Sequence, residues 1–247
     1  MIKLPFLSKP SLKYCVDKCL LPRVITATPS EILREMLFLP SSSQTTQLNQ
    51  DIFALIVNRF KPGYFIEIGA NDGFTLSNTL YLENHFGWSG VLVEANPRYL
   101  DSLIRRKNAT VINKAIAGEA GVAQFADAGL YGGLINCLDT LHEHHTGQAP
   151  LINVPCITLQ QMFDEVCAPV IIDFLSIDVE GGEIPIISQL VKNHRRVRCG
   201  CVEVNQRESD IILIKALLEN ADYSIAWNGQ TGSDIYFADP KLCSGEL

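Results

Sequence analysis

Tyr64-Phe65-Ile66-Glu67-Ile68-Gly69-Ala70-Asn71-Asp72-Gly73 reads as a short apolar strand that runs straight into a glycine turn. The strand is rich in β-branched and aromatic residues, and the two glycines allow a tight turn with close backbone approach. Pro62 and Gly63 mark its start. Further strands follow at residues 90–94, 110–112, 170–177 and 200–204. Helical stretches separate them at 76–86, 98–107, 159–166, 184–193 and 209–220. Continuously apolar strands that alternate with helices predict an α/β fold, with a parallel sheet covered on both faces. Residues 223–227 and 234–237, joined by the polar, glycine-bearing residues 228–233, predict an antiparallel hairpin at one sheet edge.

Upstream, residues 1–28 are broken by prolines and lack a period. Ile32, Leu33, Met36 and Leu37 predict a helix over 30–38, and Ile52, Leu55, Ile56 and Phe60 a second over 47–60, with a polar linker over 40–46. The expected organisation is an N-terminal arm with helices over 1–60 and a ligand-binding domain over 61–247. The chain is long enough to bury a core without metal or disulfide staples. Its net charge of −7 disfavours a nucleic-acid partner. The basic runs 105–107 and 194–198 read as solvated charge at helix ends. No apolar run reaches membrane-spanning length, and residues 1–21 lack the apolar stretch of a signal peptide. Eight cysteines without C-x-x-C spacing suit a reducing cytoplasm. Cys199 and Cys201 are expected as buried free thiols on one strand face.

Ligands of open parallel sheets bind beyond the carboxyl ends of the strands, where the strand order reverses. The first strand ends at Gly69 to Gly73 and the second at Glu94, about twenty residues on, the spacing at which a carboxylate meets ribose hydroxyls. A dinucleotide turn would carry a central glycine so that pyrophosphate could rest on a helix N-terminus. Here that glycine is missing and Asp72 stands in the turn. Asp72 would repel phosphate and attract an ammonium, and Glu67 adds negative charge nearby. The pattern therefore points to a nucleoside with a cationic tail, which S-adenosylmethionine fits and NAD does not.

The same turn belongs to a wider set of motifs. Phe65 to Gly73, Ser77-Asn78-Thr79 with Leu82-Glu83, Gly87-Trp88-Ser89-Gly90-Val91-Leu92-Val93-Glu94-Ala95-Asn96-Pro97, Asn113-Lys114-Ala115-Ile116 and Leu175 to Glu183 together resemble the FkbM-type methyltransferase family over about residues 46–206. The resemblance implies a Rossmann-like class I methyltransferase fold with a mostly parallel seven-stranded sheet. It also implies S-adenosylmethionine as cofactor and, usually, transfer to a hydroxyl oxygen of a sugar, glycan or small natural product. By position, Glu94 with Ala95 would hold the ribose. Gly69, Ala70, Asn71, Asp72 and Gly73 would hold the methionyl end. Asn113, Ala115 and Ile116 would border the adenine, although a core role suits Ile116 equally well.

A hydroxyl acceptor must lose its proton, so a general base is expected. Asp178 is the first candidate and Glu180 the second, since alternation on a continuing strand would crowd the two carboxylates and raise one of them. Asp178 would also border the cofactor. Glu183 reads as a helix-starting acid. Asp178 with Glu203 and Asn205 is a candidate oxygen-rich site for a divalent metal. His142-Glu143-His144-His145 lies in a glycine- and proline-rich stretch, with His145 as a candidate acid–base residue and a solvated loop as the plainer reading. The rival functions are an NAD-linked oxidoreductase and a non-catalytic binding protein that kept the fold.

Overall fold

The computed structural model describes residues 46, 48–138, 146–204, 208–227 and 234–244. The expected N-terminal arm, the 30–38 helix, the 142–145 histidine cluster, Asn205 and the 228–233 connection lie outside the described residues.

Helix α1 (Gln50–Val57) precedes strand β1 (Tyr64–Ile68). Then come α2 (Leu80–Phe86), β2 (Ser89–Val93), the short α3 (Leu100–Leu103) and β3 (Ala109–Ile112). Four strands follow: β4 (Ala115–Ile116), β5 (Gly121–Ala126), β6 (Gly133–Leu134) and β7 (Leu151–Ile157). The remainder is α4 (Leu159–Glu165), β8 (Ile171–Ile177), α5 (Glu183–Leu190), β9 (Arg196–Glu203), α6 (Glu208–Asn220), β10 (Ser224–Trp227), β11 (Asp234–Ala238) and α7 (Pro240–Ser244).

The main sheet has seven strands in the order β10-β11-β9-β8-β1-β2-β3. Strands β1, β2, β3, β8 and β9 are parallel, while β11 runs antiparallel to both β9 and β10. The α/β reading, with its antiparallel edge pair, therefore holds. Strand order reverses between β1 and β8, which places a crevice there. One face packs Ile66, Ile68, Val91, Leu175 and Ile177 with the apolar sides of α4, α5 and α6. The other packs Phe65, Leu92 and Phe174 with Leu82, Leu103 and helix α1. All eight residues of α1 are buried, and Phe53 meets the Tyr236 ring edge-on at 5.1 Å. Helix α1 is thus continuous with the sheet's core.

Three local departures have physical causes. The helix expected over 76–86 starts only at Leu80, because residues 77–79 are held as a loop by Glu67. The helix expected over 98–107 is one 3₁₀ turn, Pro97–Tyr99, capped by Asn96, followed by the four-residue α3. A second sheet, β4-β7-β5-β6, was not expected. Pro155 reads as a strand breaker, yet it pairs with Val122 inside this small sheet.

Gly69 joins the two halves of the crest. Its φ is +87°, and a Cβ placed there would lie 1.6 Å from the carbonyl oxygen of Asp178. The Asp178 N–H donates to the Ile68 carbonyl at 2.9 Å, so the two strand ends are locked at that approach. Gly69→Ala is expected to lose about 2–5 kcal/mol of stability, from strain and displaced backbone together. Urea unfolding reads this directly, and a loss under about 0.5 kcal/mol would show the approach to be pliable.

Candidate active site

A cavity of about 320 Å³ opens at the crest, at the lower end of the range for small-molecule sites. It runs along the carboxyl ends of β1, β2, β8 and β9 and is roofed on one side by the small sheet. Gly69, Ala70, Asn71, Glu94, Ala95, Ala115, Ile116, Asp178 and Glu180 all line it, as does Glu67. Asp72, Gly73 and Asn113 do not line it.

Each of these side chains has a definite local reason for its place. Glu94 is buried; its Oε2 accepts the Asn71 N–H at 2.8 Å and its Oε1 accepts the Asn96 N–H at 2.7 Å. Burial raises its pKa, and these hydrogen bonds work against the rise. Each carboxylate oxygen keeps a further lone pair for a ligand. Asn113 sits behind this group, donating to the Glu94 carbonyl at 2.8 Å. Asp72 is turned into its own loop, accepting from the N–H groups of Phe74 and Thr75 and from the Thr75 hydroxyl. Those bonds hold its pKa below the usual value despite partial burial. Its carboxylate shapes the turn and does not face the cavity.

Glu67 is likewise engaged within the protein. It accepts from Ser77 Oγ at 2.9 Å, from the Asn78 N–H at 2.7 Å and from Thr79 Oγ. Burial raises its pKa, and Arg106 and these donors oppose the rise. Arg106, read from sequence as solvated, is instead buried, its side chain 1% exposed against Glu83. Its guanidinium also donates to the Gly73 carbonyl, Ser77 Oγ and Thr79 Oγ. A buried arginine needs such a full set of acceptors. The other basic run is engaged too, with Arg196 against Asp239 and Arg198 against Asp173.

At the opposite end lies a row of acids. Glu203 on β9 pairs in register with Asp234 on β11. Asp178 follows Ile177, which pairs with Val202, so Asp178 sits level with Glu203. Neighbouring strands are about 4.8 Å apart, so three carboxyl groups stand side by side. Burial pushes the Asp178 pKa well above the carboxylate range, helped by the charges of Glu203, Glu180 and Asp234 and by a hydrogen bond with Glu203. The premise of alternation fails for Glu180: β8 stops at Ile177, and Glu180 has φ +57° in a turn completed by Gly181. That turn, rather than a continued strand, brings Glu180 to the cavity. Glu183 begins α5 and accepts the Gly181 N–H at 2.9 Å. Among the described residues no three histidine, cysteine or acidic side chains are arranged to hold a metal ion.

Sequence reading missed five contributors. Asp234 comes to the row only because the last strand returns antiparallel beside β9. Gln50 reaches the cavity from α1 and donates to Asp234 Oδ2 at 2.8 Å. Phe125, Tyr131 and Leu134 come from the unexpected sheet and its connection. Lys114, the one cation among the described lining residues, pairs with Glu165 at 2.7 Å.

The family model described as "Methyltransferase FkbM domain" matches residues 67–225. No curated protein matches the chain by sequence. Among solved structures, a methyltransferase FkbM from Methylobacillus flagellatus KT overlays with a TM-score of 0.46 at 11% identity, over 84% of this chain and 58% of that one. The chain thus spans little more than half the length of that neighbour. Precorrin-6y C5,15-methyltransferase from Geobacter metallireducens GS-15 gives 0.43 at 12% identity, over 81% of this chain and 92% of that one. Aeropyrum pernix fibrillarin, solved with bound S-adenosyl-L-methionine, gives 0.43 at 12% identity, over 77% and 76%.

The acid row predicts a pH signature. Burial, then the charge of Glu203, raises Asp234 from 3.8 to about 7, against the opposing bond from Gln50. The folded protein keeps a proton that the unfolded chain releases near pH 4. The resulting stabilisation is full below about pH 4 and is lost as pH rises through about 7. Asp234→Asn keeps an acceptor for Gln50 and removes the titration. It should match the parent near pH 4 and exceed it at pH 8 by on the order of 2–4 kcal/mol. Denaturant unfolding at both pH values checks this; identical pH dependence in the two proteins would clear Asp234 of the effect.

Proposed function

Since the chain belongs to the FkbM methyltransferase domain family, we propose that it is an S-adenosylmethionine-dependent methyltransferase acting on a hydroxyl oxygen of a sugar, glycan or small natural product. The observation that carries this reading is one continuous cavity with Glu94 behind the glycine turn at one end and the Asp178 row at the other. The residues fit the cofactor: Gly69 leaves no side chain in the crest, and Glu94 offers spare acceptor capacity where ribose hydroxyls would lie. When bound, S-adenosylmethionine supplies an electrophilic methyl group on a sulfonium sulfur.

The protein's own part is positioning and proton transfer. Ala115, Ile116 and Phe125 give apolar surface for a purine beside Glu94. The acceptor enters over β8 and β9, where Asp178 and Glu203 face the cavity. The two carboxyl groups stand as a pair, and burial together with the charge of Glu203 raises the Asp178 pKa. The proton leaving the acceptor hydroxyl passes to this pair, through Asp178. A base whose pKa is raised above the ordinary carboxylate range is a better match for that task than an unshifted carboxylate. Holding the oxygen in line with the carbon–sulfur bond contributes the rest of the acceleration.

We also place the reaction in the cytoplasm and assign the methyltransferase domain to residues 61–247. Six free cysteines among the described residues suit a reducing compartment. Among the described residues no helix is long and apolar enough to cross a membrane.

Glu94→Ala is expected to weaken S-adenosylhomocysteine binding about 10–100-fold, and to cost about 1–3 kcal/mol of stability by orphaning the Asn71 and Asn96 N–H groups. Titration calorimetry on the folded variant measures the first; unchanged affinity would remove Glu94 from the ribose role. Asp178→Asn should bind S-adenosylhomocysteine within a few-fold of the parent while turnover falls about 10²–10⁴-fold. In the parent, kcat/KM should rise with pH through a value well above the usual carboxylate range, and that limb should vanish in the variant. Parent-like turnover by Asp178→Asn would end the base assignment.

A further inference from the structure

Asn78 carries a buried polar atom that nothing described satisfies. Its side-chain Nδ2 donates to Ser176 Oγ at 2.8 Å, and its backbone N–H donates to Glu67 Oε1 at 2.7 Å. The residue lines the cavity, yet its Oδ1 is buried without a hydrogen-bond partner. A buried carbonyl oxygen left unpaired is costly, so its place at a cavity wall calls for a donor from the ligand.

The strand register says which part of the ligand that is. Glu67 on β1 lies level with Leu92 on β2 and with Ser176 on β8. Asn78 bonds to both Glu67 and Ser176, so it spans the boundary between β1 and β8. Glu94 follows the end of β2, and Ala115 and Ile116 lie beyond β3. A nucleoside with its base by Ile116 and its ribose on Glu94 therefore has its 5′ substituent directed across β1. Strands are about 4.8 Å apart, so the substituent reaches Asn78 one to two strand spacings from the ribose. That is the span of a short amino-acid tail. Asp72, the acid in the turn, is committed to Phe74 and Thr75 and faces away.

We propose that Asn78 Oδ1 is the acceptor for the α-ammonium group of the cofactor's methionyl tail, with Glu67 and Ser176 as the positioning residues that aim it. An ammonium has three donors and a positive charge, so the bond is of the stronger, charge-assisted kind. The short loop 77–79 is held in place by Glu67 and Arg106, which fixes the height of the oxygen at the cavity wall. This assignment rests on the cofactor reading above.

A double-mutant cycle between protein and ligand tests it. The proteins are the parent and Asn78→Leu, each taken as the full chain. The ligands are S-adenosylhomocysteine, its analogue without the amine, its analogue without the carboxylate, and 5′-methylthioadenosine, which lacks the tail. Calorimetry reads the dissociation constants. In the parent, removing the amine should weaken binding about 10–100-fold. Asn78→Leu should weaken S-adenosylhomocysteine by a similar factor, leave 5′-methylthioadenosine within about threefold, and show little further loss when the amine is removed. Retained 5′-methylthioadenosine binding shows that the variant is folded. Equal losses for all four ligands, no loss at all, or coupling to the carboxylate instead of the amine would each overturn the assignment. If the parent bound neither S-adenosylhomocysteine nor 5′-methylthioadenosine, the cofactor reading itself would fail.

Discussion

A carboxylate buried inside a strand must be surrounded by donors, and Glu67 is such a group. It sits in the middle of the crest, one residue before the end of β1. Its donors come from Ser77, Asn78 and Thr79, so meeting its needs folds that segment back over the strand ends and delays α2 until Leu80. Arg106 then closes the arrangement, bound to Glu83 and to the same two hydroxyls. The wall of the cavity is thus built outward from one acid. Replacing Glu67 with an apolar residue of similar size would remove a nearby negative charge from Arg106 and leave three donors of the loop without their acceptor.

The far wall obeys the opposite rule. Asp178, Glu203 and Asp234 are gathered by strand register, with no described cation among the cavity residues beside them. Lys114 lies at the other end and is engaged by Glu165. Crowded acids with little water keep protons to higher pH, and the shifts at Asp178 and Asp234 both run that way. A neutral hydroxyl can approach such a wall, whereas a phosphate or carboxylate would be repelled.

Much of this could be read from residue order alone, because strand ends are where the sequence changes character. Gly69, Glu94 and Asp178 each terminate an apolar run, and all three line the cavity. Side-chain direction was not legible. Asp72 lies in the same turn as Gly69 and Asn71, yet three local donors draw its carboxylate inward. Arg106 sits in a basic run that looks solvated, and only the tertiary position of Glu83 draws it into the core. Asp234 depends on the return of the last strand between β9 and β10, an order that no local pattern specifies. The small sheet was hidden by Pro155 and by the two-residue lengths of β4 and β6.

Sheet order also sets what each part of the cavity can contact. Passing from β3 to β11, the lining changes from apolar at Ala115 and Ile116 to hydrogen-bonding at Glu94, Asn71 and Asn78 and then to acidic at Asp178, Glu203 and Asp234. Under the proposed function, that progression suits a molecule with an aromatic base, a hydroxylated sugar and a cationic tail, followed by an acceptor that gives up a proton. The topological reversal between β1 and β8 falls where tail and acceptor would meet. At that point Gly69 and Asp178 approach too closely for any side chain on residue 69. The same steric demand that fixes the crest therefore also holds Asp178 against the glycine turn, at the edge of the cavity.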